Sequence, residues 1–288
     1  MDVYDTRSND WSSGLEGGQA RKGHSAVLEQ GNIFFWGGTD TSGFLNTVDI
    51  YELSSASWIT GFFGGRARSK HTANLVGSKI YHWGGEDESG LTNTTDIYSI
   101  TNIDNLWETI PGPVTENGRS GHTATLIDDQ IVFWGGEDDS GQLVNTVSIY
   151  RLHESTWVLG TAGGQARRHH EAGLNNGQIY YWGGQDASGL PINTIDVYDP
   201  KNDVWIIEGE IAAGTPRSNH AQFNYLGNKF SWAGENETGN INSLDIYNFK
   251  NNLWRSGVSG GRSRRGHSVG IRNGKAYYWG GESYSGKY

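Results

Sequence analysis

The chain has 288 residues, with 43 glycines, 12 tryptophans, 5 prolines and no cysteine. So much glycine beside so little proline excludes a collagen-like or disordered chain, and the missing cysteine excludes disulfides, thiol catalysis and cysteine-ligated metal centres. A hydrophobic content of 35% without a long apolar run leaves no spanning helix, and a net charge of −10 disfavours nucleic acid and anionic membranes as partners.

The opening residues, Met1-Asp2-Val3-Tyr4, carry neither the basic nor the apolar region of a signal peptide. Asp2–Asp5 and Asp10-Trp11 read instead as two short strands. From there the chain repeats itself. Trp-Gly-Gly recurs with its tryptophan at 36, 83, 134, 182, 232 and 279, with Ala233 for the first glycine in the fifth copy. A second tryptophan series falls at 11, 58, 107, 157, 205 and 254. An Arg-x-x-His element appears as Arg21/His24, Arg68/His71, Arg119/His122, Arg167/His170, Arg217/His220 and Arg264/His267. Three markers in one phase define a single repeat of about fifty residues.

Each period reads as four strands, shown by the third copy: 122–126, a turn at Asp128-Asp129, 130–134 ending at Gly135-Gly136, then 146–150 and 155–159. Asn176-Gly177 and Asn273-Gly274 are two-residue hairpin signals. No segment holds a 3.6-residue pattern, so helix is expected to be nearly absent. Small four-stranded sheets bury their faces by radial stacking, which predicts an all-β, six-bladed β-propeller of antiparallel blades. The chain ends on a second strand and its following loop, Trp279 to Tyr288. The sixth blade of this single domain, 1–288, is therefore expected to be shared between residues 1–14 and 264–288, the N-terminal strands closing the ring.

The order of double glycine, tyrosine (Tyr51, Tyr98, Tyr150, Tyr198, Tyr247 and Tyr4), tryptophan and Arg-x-x-His resembles the kelch repeat, in its bacterial flavour, over essentially the whole chain. The resemblance implies a propeller that holds peptides, proteins or glycans on one face. A secreted bacterial parent fits it, although the compartment stays open.

That face is expected to gather Arg-x-x-His and the loops after Gly-Gly. Twelve of the 22 basic residues lie around the former, including Lys22, Lys70, Arg168 and Arg265. Eleven carboxylates lie in the latter, including Asp40, Glu86, Asp87, Glu137, Asp138, Asp186, Glu235 and Glu282. The six Arg/His pairs with Asp40, Asp87, Asp138 and Asp186 are the candidate ligand-binding rim. The alternative for each arginine is to pair with a carboxylate and lock the blades. The histidines, set on separate blades, do not converge on a metal; each is expected to hydrogen-bond loop backbone, and His169-His170 to point to opposite faces of a strand. All twelve tryptophans are expected between blades. Departures from the repeat stand at 110–116 and in blade five, at Phe223, Asn224, Tyr225 and Ala233.

No serine elbow, phosphate loop or zinc-protease helix is present. The copper site of galactose-oxidase-like relatives needs a cysteine, and the Glu-x3-Asp-x3-His iron motif of plant specifier proteins is missing. The expectation is a monomeric, non-catalytic binding or scaffolding propeller without a cofactor. Two alternatives stay open: a sialic-acid mutarotase, which would need only a few Arg, His and Glu in the mouth, and an engineered or trimmed ring with no ligand. Sequons stand at Asn93 and Asn236.

Overall fold

The computed structural model describes residues 1–101, 106–114, 116–211, 214–283 and 286–287. Thr115 of the long third-copy loop and Tyr284, Ser285 and Tyr288 of the terminal loop lie outside the described residues. Among the described residues every regular element is a strand.

Six antiparallel sheets of four strands follow one another, the sixth extended by the short strand Gly286–Lys287. Blade I comprises Ser25–Glu29, Asn32–Trp36, Thr47–Glu52 and Ser57–Phe63. Blade II comprises Thr72–Val76, Lys79–Trp83, Thr94–Ser99 and Trp107–Pro111. Blade III comprises Thr123–Ile127, Gln130–Trp134, Val147–Arg151 and Thr156–Gly160, within one residue of the bounds read from the repeat. Blade IV comprises Glu171–Asn175, Gln178–Trp182, Thr194–Asp199 and Val204–Ile211. Blade V comprises Ala221–Tyr225, Asn228–Trp232, Leu244–Asn248 and Leu253–Ser256. Blade VI is assembled from Arg265–Arg272 and Lys275–Ser283 with Asp2–Asp5 and Asp10–Ser13, in the register Tyr4 opposite Ala276. The first strand of each blade packs against the first strands of its two neighbours, so these strands line the axis.

Local chemistry explains the turns. Asn176-Gly177 and Asn273-Gly274 both take positive φ, as a two-residue hairpin of type I′ demands. Between third and fourth strands a left-handed residue is tied down by the repeat tyrosine: Tyr4 donates to Asn9, Tyr198 to Asp203 and Tyr247 to Asn252, at 2.5 to 2.9 Å.

Six hydrophobic clusters fill the interfaces, one between each pair of adjacent sheets. The second-strand tryptophans are their centres, at 0–4% exposure. At five interfaces the fourth-strand tryptophan of the next blade packs on them, with ring centroids 4.8 to 5.7 Å apart. Phe223 and Ala233, two of the departures in blade V, are buried in this core rather than displayed on a face.

Candidate functional site

The six arginines of Arg-x-x-His are among the most buried side chains of the protein, at 0–3% exposure. Each guanidinium folds back into its own blade. Arg21 donates to the carbonyls of Gly37 and Thr47, both at 2.9 Å, and reaches Asp49 at 2.6 Å. Arg68 repeats this with Gly84, Thr94 and Asp96. Arg167 pairs with Asp196, Arg217 with Asp245 and Arg264 with Asp2. The carboxylate is thus not one of the loop acids but an aspartate two residues before the repeat tyrosine. Burial lowers the pKa values of Arg21, Arg68, Arg119, Arg167 and Arg217, that of Arg167 to about 10 against the pull of Asp196, and these cations persist at neutral pH.

Blade III lacks that aspartate and has Ser148. Its Arg119 instead meets Glu116, at 2.5 Å, from the loop at 110–116. Glu116 also accepts from the Ser148 hydroxyl. The longest departure from the repeat therefore relocates a structural carboxylate.

The six histidines are buried at 3–7% exposure. Four of them meet hydroxyls on the first strand of the preceding blade: Nε2 of His24 meets Ser268 at 2.7 Å, His71 meets Ser25 at 2.9 Å, His122 meets Thr72 at 3.2 Å and His170 meets Thr123 at 2.9 Å. Five stand edge-on or nearly so to the preceding blade's tryptophan. Burial, aided by the adjacent arginine charge, holds them well below the usual imidazole range, so they are neutral. His169 and His170 both precede the strand, which starts at Glu171, and His169 takes φ +56° and lines the mouth.

The Gly-Gly pair seats this arrangement. A Cβ on Gly37 would stand 2.8 Å from the His71 ring, and one on Gly280 only 2.4 Å from the His24 ring. The second glycine N–H donates to the carbonyl of the next blade's Arg-x-x-His arginine, at 2.8 Å in all six cases, Gly38 to Arg68 and Gly281 to Arg21 among them.

The loop aspartates have a local role. Asp40, Asp87, Asp138 and Asp186 each accept the backbone N–H of a serine two residues on, at 2.6 to 2.9 Å, which fixes the loop as an Asx-turn. The Ser140 hydroxyl and loop N–H groups hold Asp138 below the ordinary carboxylate range.

What remains accessible is a concave mouth of about 390 Å³, built by the residues between Arg and His and the first residue after Gly-Gly. Its floor is a run of backbone hydrogen bonds from each blade to the one before: Gly23 to Gly266, Lys70 to Gly23, Gly121 to Lys70, His169 to Gly121, Asn219 to His169 and Gly266 to Asn219, at 2.7 to 3.3 Å. All six residues have positive φ. Its wall is a belt of ion pairs: Lys22 with Glu282 at 2.7 Å, Lys70 with Glu86 at 2.9 Å, Arg168 with Glu137, and Arg265 with both Glu235 and Glu282. The four cations are 33–43% exposed. The candidate rim of the sequence thus divides into a buried frame and neighbouring residues that meet solvent. The signal was variation: Arg and His never change, whereas the two residues between them read Lys-Gly, Ser-Lys, Ser-Gly, Arg-His, Ser-Asn and Arg-Gly.

Fold and mouth together define a six-bladed propeller with a polar axial face, a class in which binding and scaffolding are the general role. A profile described as the KLHDC2/KLHL20/DRC7 Kelch-repeats domain matches residues 70–281. The chain belongs to this Kelch-repeat family, whose domains generally bind protein partners. No curated protein matches the chain.

Proposed function

We propose that this protein is a monomeric, non-catalytic binding module that docks a charged segment of a partner protein over the axial mouth. The observation that carries the reading is the contrast between the two tiers of charge. Buried Arg–carboxylate pairs make a fixed frame, and the half-exposed cations Lys22, Lys70, Arg168 and Arg265 stand over it within reach of Glu86, Glu137, Glu235 and Glu282. Exposed pairs of this kind contribute little to stability. Their acids and bases can exchange partners with an incoming peptide at small cost, while the frame keeps them in place.

The test is selection of peptides from a random display library against the intact protein, followed by titration calorimetry at two salt concentrations. Support requires binding that weakens with salt and is lost in Lys22→Glu/Lys70→Glu with the melting temperature retained. Binding indifferent to those changes rejects the mouth. A response to sialic acid with anomer exchange, and none to peptides, would move the reading to the sugar isomerase.

A further inference from the structure

On the side of the mouth, blade I carries an apolar ledge at its outer strand. Among the described residues Phe62 and Phe63 are the two exposed aromatic side chains, at 43% and 74% exposure, whereas the second-strand tryptophans and the repeat tyrosines are buried. The row Ser25, Trp36, Val48 and Phe62 crosses all four strands of the blade in register. Phe63, opposite Thr47, lies one residue beyond that row towards the mouth. At the position of Phe62 the other blades carry Ile110, Gly160, Glu210, Gly257 and Gly14. The register shifts just before the pair, where Gly61 takes φ +96°, and a bulge of this kind re-aims the side chains next to it.

Polar contacts join the ledge to the mouth. The Thr47 hydroxyl donates to Oε1 of Gln19 at 3.0 Å, and the Gln19 amide donates to Asp40 at 2.7 Å. Asp40 follows Thr39, which exchanges two backbone hydrogen bonds with Lys22, at 2.9 and 3.1 Å. Thr39 is neutral where four other blades have glutamate, and Asp40 is taken up by Ser42 and Gln19. An acid arriving over blade I therefore meets the Lys22 cation across a neutral neighbour. Strands in a sheet lie about 4.8 Å apart, so the three steps from first strand to fourth put the ledge roughly 14 Å from Lys22, which about four residues of extended chain cover.

We infer that the partner segment at the mouth is extended, sets an acidic side chain against Lys22 and runs outward over blade I to bury a large apolar side chain on Phe62 and Phe63. Its two anchors stand about four residues apart. The inference rests on the mouth being the docking site and adds to it an apolar anchor. Charge pairs at an interface give orientation and salt dependence, whereas buried aromatic contact supplies most of the binding free energy. The mouth offers the first and the ledge the second.

The probe is a display library of short random peptides selected on the intact protein. Selected peptides are then titrated against the unchanged chain, Lys22→Glu/Lys70→Glu and Phe62→Ser/Phe63→Ser. Enrichment of Asp or Glu about four residues from a large apolar residue is expected. Kd should rise about tenfold or more in each variant, with the melting temperature retained. Peptides that lose affinity in the lysine variant but bind the phenylalanine variant undiminished overturn this inference and leave the mouth standing, as does enrichment of acids without a recurrent apolar residue. Binding indifferent to the lysine variant, or a library that yields no binder, overturns both. If the double phenylalanine variant folds poorly, Phe63→Ser alone gives the same decision.

Discussion

Two neighbouring interfaces show how differently one repeat can be used. Between blades III and IV, Trp134 lies 4.4 Å from Tyr181 and 5.3 Å from Trp205, and its indole N–H donates to the Gly163 carbonyl at 3.1 Å. His170 stands edge-on to it and reaches the Thr123 hydroxyl. Between blades IV and V, Trp182 has Lys229 over its face and a cavity beside it, its N–H has no partner among the described residues, and Glu171 takes the place of Thr123. The first interface is nearly all apolar contact with every donor of its tryptophan satisfied. The second gives up such contact for a polar interior. In an array where each unit touches only its neighbours, one such interface is tolerated because five regular ones carry the assembly.

The largest effect expected is on what the interfaces share. An unfolded histidine takes a proton near pH 6.5, whereas the buried imidazoles of His24, His71, His122, His170, His220 and His267 resist one far below it. Their contribution is complete above about pH 7 and is lost as pH falls towards their folded values. Each adds up to about 1.4 kcal/mol per pH unit to the slope, because the unfolded chain binds more protons there. Urea midpoints should therefore fall steeply from pH 7 to pH 5, and a flat profile would contradict neutral, interlocked histidines.

Next come the buried pairs. Arg167→Ala leaves Asp196 bare in the interior and is expected to cost about 3–5 kcal/mol by urea unfolding. Arg119→Ala should cost less, about 1–3 kcal/mol, because Glu116 sits on a loop and is 11% exposed. Equal losses would show that the loop carboxylate is held as rigidly as the strand one.

The comparison between interfaces is sharpened by Lys229→Ile, which restores the residue type of four other blades. It should stabilise by about 1–3 kcal/mol, read from the same urea curves, since a fully buried lysine, held by burial well below its ordinary pKa, gives way to apolar contact. Loss of stability would mean that the lysine is fully compensated where it stands. The smallest effect belongs to the mouth: Lys70→Ala removes an ion pair 41% exposed on its cationic side and should change stability by less than about 1 kcal/mol.

Much of this was legible in the sequence because it is periodic. Six tryptophans, five before a double glycine and one before Ala233-Gly234, give the blades, their phase and their number, and the strand bounds of blade III follow within one residue. The function of Arg-x-x-His was harder to read. Counting charges treats an arginine locked to Asp96 and a lysine loosely paired with Glu86 alike, since both sums come to zero. The informative aspartate, two residues before the repeat tyrosine, was hidden by Ser148, the copy in which it is missing. Lys229 escapes for the opposite reason. A reader following the period looks for what recurs, and it occurs once.

The six hydrogen bonds under the mouth are made by main-chain atoms alone. The hub of the wheel therefore constrains backbone shape and leaves the side chains above it free to be rewritten. Glycine, lysine, histidine and asparagine already occupy it in this one molecule. At Gly266 a Cβ would meet nothing nearer than 3.5 Å, whereas at Gly23 it would meet the Ser69 hydroxyl at 2.4 Å. Asparagine, which accepts a left-handed backbone, could thus be grafted at Gly266. A new specificity could in this way be installed at the axis without altering any contact that holds the blades together.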